Sequence, residues 1–170
     1  MKTLLLFLDG VGVGAPDAAL NPFLQARLPV LRELLGGLPT LDRPRLRRRS
    51  AAGVRESAAF PLDATLDTEG TPQSGTGQTA LLTGVNAARR FGRHFGPWTP
   101  VSLRPLLEER NVLRSARERS HTAAFANAYP RSWPGPRARR RLAAPPLAAR
   151  AAGLLVRHAE DLAAGEAVAS

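Results

Sequence analysis

The chain of 170 residues contains no cysteine and only one methionine and one tyrosine, and aromatic residues make up 5% of it. Without cysteine there is no disulfide, no thiolate metal site and no cysteine nucleophile within it. Long apolar runs are also lacking. The segment Leu4–Leu8 is far too short to span a bilayer, and Asp9 interrupts it before a secretory core can form. No membrane is expected as a partner, and the expected location is the cytoplasm. Histidine is scarce: His94, His121 and His158 are widely separated and share no ligand spacing.

What the chain does have is positive charge. The net charge of +10 and isoelectric point near 11.6 would ordinarily suggest an anionic partner. Of 24 basic residues, however, only Lys2 is lysine. That ratio, with abundant Ala, Gly, Pro and Leu, is what high-GC coding produces as readily as function does. Arginine runs occur at Arg45–Arg49 and at Arg137–Arg141. Nucleic acid binding favours such runs interleaved with aromatics or set on a recognition helix. With so few aromatics and no recognisable motif, nucleic acid is not the expected partner, and a solvated surface accounts for the runs.

Two segments carry chemistry. The first is Pro72-Gln73-Ser74-Gly75-Thr76-Gly77-Gln78-Thr79-Ala80-Leu81-Leu82-Thr83-Gly84, which places a small hydroxyl just ahead of an apolar helical run. A helix N-terminus presents unpaired N–H groups and a partial positive charge, and both stabilise an alkoxide or phosphoryl oxygen. Ser74 is therefore a candidate nucleophile as well as a candidate helix cap. The second is the opening run, Lys2-Thr3-Leu4-Leu5-Leu6-Phe7-Leu8-Asp9-Gly10-Val11-Gly12-Val13-Gly14, which reads as a buried strand with Asp9 at its carboxyl end. Ligands bind at that end of open α/β sheets, and a carboxylate there suits a hard cation or zinc. An ordinary Asp-Gly turn is the alternative for Asp9.

Together, Asp-Gly-x-Gly after the first strand and Ser-x-x-Gly-Gln before a later helix resemble the alkaline phosphatase superfamily, in particular cofactor-independent phosphoglycerate mutase and phosphopentomutase. The resemblance covers about residues 3 to 14 and 63 to 97, with Gly92-Arg93-His94-Phe95-Gly96-Pro97 looking like a further motif of that group. It implies a three-layer α/β/α fold with a mostly parallel sheet. It also implies two divalent metal ions (Mn or Zn), with Asp9 as a ligand and Ser74 as the metal-bound nucleophile that becomes phosphorylated. Gln78 stands where the family has a histidine. The activity implied is metal-dependent phosphoryl transfer on phosphate monoesters, of phosphatase or phosphomutase type, acting on a small phosphorylated substrate. Loop N–H groups from Gly75 to Gln78 would add hydrogen bonds to the phosphoryl oxygens. Thr76, Gln78, Arg93, His94 and Asn127 are the expected substrate contacts, and Thr76 is also the rival nucleophile.

The family completes its two metal sites from its second half, with an Asp-x-x-x-His, an Asp-His pair and a later His. None of these is present: Asp9, Asp17, Asp42, Asp63, Asp67 and Asp161 have no His next to them or four residues on. Asp63 and Asp67 are weighed as extra ligands against solvated or capping roles. Only Asp9 and Ser74 of a two-metal site can be assigned, so the chain is expected to be the N-terminal portion of a longer enzyme, inactive as this piece alone. A non-catalytic phosphate- or anion-binding remnant is the alternative. The expected organisation is residues 1–129 as part of the catalytic core, and residues 130–170 as a Pro- and Arg-rich linker with the start of a cap.

Apolar spacing predicts a helix over Asn21–Leu35, kinked or divided at Pro29 and stopped by Gly36-Gly37. Residues 39–57 read as an exposed connection and Phe60–Leu66 as a strand leading to Ser74. Ser102–Arg110 reads as a short helix with a hydroxyl cap, and Thr122–Ala126 as a buried strand ending at Asn127, which with Tyr129 would line the pocket. Pro130, Pro134 and Pro136 mark a boundary. Residues 137–150 and 153–164 have helical character, broken at Pro145-Pro146, and the end of the chain shows no strand. Two nucleotide-binding motifs are excluded. Gly75-Thr76-Gly77-Gln78-Thr79 has Gln78 in place of the P-loop lysine, and Gly10-x-Gly12-x-Gly14 lacks the dinucleotide spacing.

Overall fold

The computed structural model describes residues 2–51, 54–133, 135 and 141–169 of a mixed α/β chain. It comprises two compact units, Met1–Asp63 and Ala64–Ser170, and the boundary expected near residue 129 falls inside the second.

In the first unit, Leu4–Leu8 adopts no regular secondary structure and pairs with no strand among the described residues, and Leu4, Leu5 and Leu6 are exposed. The expected buried strand is thus not formed. A run apolar on both faces is stable as a strand only between neighbours, and none lies beside it. Pro29 divides the predicted helix as expected, into α1 (Pro22–Gln25) and α2 (Pro29–Leu35). Asn21 caps α1: its Oδ1 accepts from Phe23 N–H at 3.1 Å, while its Nδ2 donates to Ala15 O at 2.9 Å. Gly36 ends α2 in the left-handed region at φ 71°, where a glycine costs nothing.

The 39–57 stretch is more ordered than its composition suggests. β1 (Leu46–Ala51) and β2 (Val54–Ala59) form an antiparallel hairpin with Leu46 opposite Ala59 and Arg49 opposite Glu56. Arg47 pairs with Glu56, Arg48 donates to Glu33 O, and Ser57 donates to Leu34 O, which ties the hairpin to α2. Leu46 is its buried apolar anchor. Phe60–Asp63 is not a strand, and Leu66 and Asp67 lie in a turn.

The second unit is a helical cluster with a small parallel sheet. Its elements are α3 (Ser74–Thr83), α4 (Ala87–Phe91), a 3₁₀ turn (Val101–Leu103), α5 (Arg104–Glu109), α6 (Val112–Glu118), β3 (Ala128–Tyr129), α7 (Ala144–Ala151), β4 (Arg157–His158) and α8 (Ala159–Ala163). The helix expected after Ser74 forms, but it begins at Ser74 itself, so Gly75–Gln78, expected in a loop, make its first turn. The helix expected from Ser102 begins instead as the 3₁₀ turn, and α5 has no side-chain cap. Pro145 and Pro146 do not break α7; they sit in its first turn, where a missing N–H costs no bond. Residues 136–140, and with them most of the second arginine run, lie outside the described residues, as does Pro134.

The core joins α3, α5 and α7 through Leu82, Leu107, Leu142, Ala144, Leu147 and Ala148, with Leu113 and Trp133 against it. Each buried leucine contributes roughly 1.5–3 kcal/mol. Asn111 is also enclosed. Its Oδ1 caps α6 through Arg114 N–H at 2.9 Å, and its Nδ2 donates to Leu107 O at 2.7 Å, so one side chain bonds two helix ends.

β3 and β4 pair in parallel, and a parallel bridge joins Asn127 to Val168. The last residues therefore do contribute a strand-like contact: Ala128 N–H donates to Val168 O and Val168 N–H to Ala126 O, both at 2.9 Å. The strand expected over 122–126 is displaced to 128–129, because the pairing partners lie at 157–158 and 168. The described strands thus form one antiparallel and one parallel pair.

Candidate functional site

Ser74 is the first residue of α3, half-buried, behind an extended Gln73 that offers no side-chain cap. The N-terminus of α3 is gripped by the loop that follows α4. Thr76 N–H donates to Phe95 O at 3.0 Å, and Phe95 N–H donates to Thr76 Oγ1 at 3.3 Å. The Thr76 hydroxyl has Gln73 O at 3.2 Å and Phe95 O at 3.4 Å as acceptors. A Cβ on Gly75 would stand 2.6 Å from Phe95 O and 2.8 Å from the Trp98 carbonyl carbon, and nearer still to Trp98 O. A Cβ on Gly96 would meet Gln73 and Ser74 N at 3.1 Å. Only glycine lets these two backbones approach so closely.

This clasp sorts the two candidate hydroxyls. Thr76 is wholly enclosed and bonded on both sides, which removes it as a surface nucleophile and as a direct ligand contact. Ser74 keeps partial exposure. The expected phosphate cradle of loop N–H groups changes accordingly. Thr76 N–H is taken by Phe95 O, and Gly77 N–H by Gln73 O at 2.9 Å as the helix begins. Gln78 lies half-buried on the next turn.

A second layer holds the loop from the other side. His94 Nε2 lies 3.2 Å from Thr68 O. A carbonyl only accepts, so Nε2 is the donor in this contact. Nδ1 is buried and meets no hydrogen-bond partner among the described residues. His94 therefore faces inward as a brace for the 64–70 turn, away from the substrate role expected of it. The same turn holds Leu66 and Asp67 at φ 54° and 52°, a left-handed pair that costs about 1–3 kcal/mol per residue. Asn86 Nδ2 donates to Leu66 O at 2.6 Å, and its Oδ1 caps α4 at Arg89 N–H. Asp67, weighed above as a ligand, lies 4.0 Å from the Arg89 guanidinium.

Arg93 stands differently from its neighbours. Its guanidinium carbon lies 5.8 Å from the Phe91 ring centroid and 5.9 Å from that of Phe95, and the two rings meet edge to face at 5.4 Å. The signal for this pair in the sequence was the Phe-x-Arg-x-Phe spacing. The role of Gly75 had no signal beyond its place next to Ser74.

Asn127 and Tyr129 belong to the parallel pair, whose packing partner is α8. Tyr129 O faces His158 Nδ1 at 3.0 Å, and Tyr129 lies between Phe125 and Trp133 in an aromatic row. These residues serve the sheet and the aromatic row.

Asp9 lies in the first unit, where its Oδ1 accepts from Gly10 N–H at 3.0 Å in a local turn. Among the described residues no three His, Cys, Asp or Glu side chains gather as a metal site. Asp9 and Ser74, one carboxylate and one hydroxyl in different units, do not by themselves supply the ligands of the two-metal centre that the resemblance implies. No helix among the described residues is long and apolar enough to cross a membrane. Comparison with family models, with curated proteins and with solved structures found no match for this chain.

Proposed function

We propose that Ser74 is the phosphoryl acceptor of a phosphatase- or phosphomutase-type reaction on phosphate monoesters. The observation that carries the reading is the sorting of hydroxyls at the start of α3: Thr76 is sealed inside the clasp while Ser74 stays accessible at the positive end of the helix. In the reaction the Ser74 oxygen attacks phosphorus, a new O–P bond forms, and the ester O–P bond breaks. The departing alcohol gains a proton and the serine hydroxyl loses one. With this reading goes an alkaline-phosphatase-like three-layer fold, of whose parallel sheet the described residues offer the single β3–β4 pair.

A hydroxyl at the start of a helix can hold a phosphate without turning it over. The second reading is accordingly a phosphate-binding, non-catalytic role, favoured by the absence of a gathered metal-ligand cluster among the described residues. Labelling separates the two. Incubation with a phosphate monoester, with and without manganese or zinc, followed by intact mass and peptide mapping, should place one phosphoryl group on Ser74 and none on Ser74→Ala. A folded chain that stays unlabelled under every metal condition refutes the acceptor role.

A further inference from the structure

We propose that Arg93 is a preset anion-recognition residue beside the clasp and takes the phosphoryl oxygens of a phosphate monoester. The choice of ligand class rests on the reading of Ser74 above. Arg93 is exposed, yet its side chain is placed: both aromatic neighbours lie within cation–π range of the guanidinium. Among the described residues no hydrogen bond or ion pair engages its N–H groups. Arg114 bonds Glu118 and Glu108 O, whereas Arg93 engages neither an acid nor a carbonyl among the described residues.

A cation–π contact uses no acceptor oxygen, so the guanidinium N–H groups keep their fork for a bidentate acceptor. Because the rings already order the side chain, less freedom is lost on binding. Charge agrees. Arg89 and Arg90 precede it on α4, and the acid in contact with that group is Asp67, at 4.0 Å from Arg89. A phosphate dianion gains more from this field than a monocarboxylate does. The placement is tied to Ser74 as well. Arg93 lies two residues before Phe95, whose backbone is bonded to Thr76, two residues beyond Ser74.

The test is a titration of the whole chain with inorganic phosphate, followed by the arginine Nε–Hε resonances in ¹⁵N NMR. The expected result is one resonance that shifts saturably and is missing from Arg93→Met. Arg93→Met should weaken binding about tenfold, and Arg93→Lys several-fold, since lysine cannot offer the fork. The double variant Phe91→Leu/Phe95→Leu, which keeps the charge and removes the rings, should fall between them. Sulfate should compete, and acetate at equal concentration should compete much less. If the double variant loses its fold, Arg93→Lys carries the test, because it leaves both rings in place. Phosphate binding by Arg93→Met equal to that of the parent chain, or no saturable shift in the parent chain, overturns the proposal. Arg93-dependent binding without labelling of Ser74 would refute the acceptor role and leave Arg93 standing.

Discussion

Two glycines in the same helix should respond in opposite directions to the same added methyl group. In Gly75→Ala the new Cβ meets the carbonyls of Phe95 and Trp98 well inside contact distance, and both obstacles are backbone. The loop must move or the helix start must unwind, an overpacking cost of about 1–3 kcal/mol. Displacing the loop also weakens the exchange between Thr76 and Phe95, whose hydrogen bonds contribute about 0.5–1.5 kcal/mol each. Alanine recovers about 1 kcal/mol at most in helix propensity. The net expectation is a loss of about 2–3 kcal/mol. Gly77→Ala adds the same methyl group two residues on, where no described atom beyond its chain neighbours and its own helix backbone lies within 4 Å. Only the propensity term remains there, so that variant should gain about 0.5–1 kcal/mol. Chemical denaturation of both variants, followed by circular dichroism, reads the difference. A Gly75→Ala chain as stable as Gly77→Ala would refute the clasp.

Asn111→Ala should cost about 2–3 kcal/mol in the same assay, because it removes the α6 cap and leaves Leu107 O without its buried donor. An effect within about 0.5 kcal/mol, the range of ordinary surface changes, would contradict that double role. The Glu160 carboxyl is held below its ordinary value, chiefly by the hydrogen bond from Arg131. A lowered acid stabilises the fold fully above its unfolded pKa, and the contribution is lost as pH falls through the lowered value. The stability gap between the parent chain and Glu160→Gln should therefore shrink on going from about pH 7 to about pH 3. A gap that widens would reverse the sign of the interaction.

The sequence revealed local boundaries better than tertiary pairing. Pro29 imposes its division of α1 from α2 through its own ring, and a helix beside Ser74 shows in a change in composition, so both were legible. The 46–59 hairpin was hidden because its strand residues are arginines, which hold it by bonding Glu33 O and Glu56 rather than by an apolar stripe. Pro145-Pro146 looked like a break because proline is tolerated only in a first turn, and where α7 starts depends on its packing against α3 and α5. At the site, Ser74 and the neighbourhood of residues 92–97 were legible from composition. That Thr76 is sealed and His94 turned inward was not, since both depend on where the carbonyls of residues 68 and 95 come to lie.

The inner face of α3 is built from Gly75, Thr76, Thr79, Leu82 and Thr83. Thr79 returns its hydroxyl proton to Gly75 O and Thr83 to Thr79 O, each at 2.7 Å, so a face polar in composition is dry in bonding. The helix is therefore slender as well as self-satisfied, and its neighbours can lie close to its axis. Redesign toward a larger apolar core would have to enlarge those side chains and push the axis outward. Ser74 would travel with it. In this chain the position of the Ser74 hydroxyl is set by how little the helix behind it occupies.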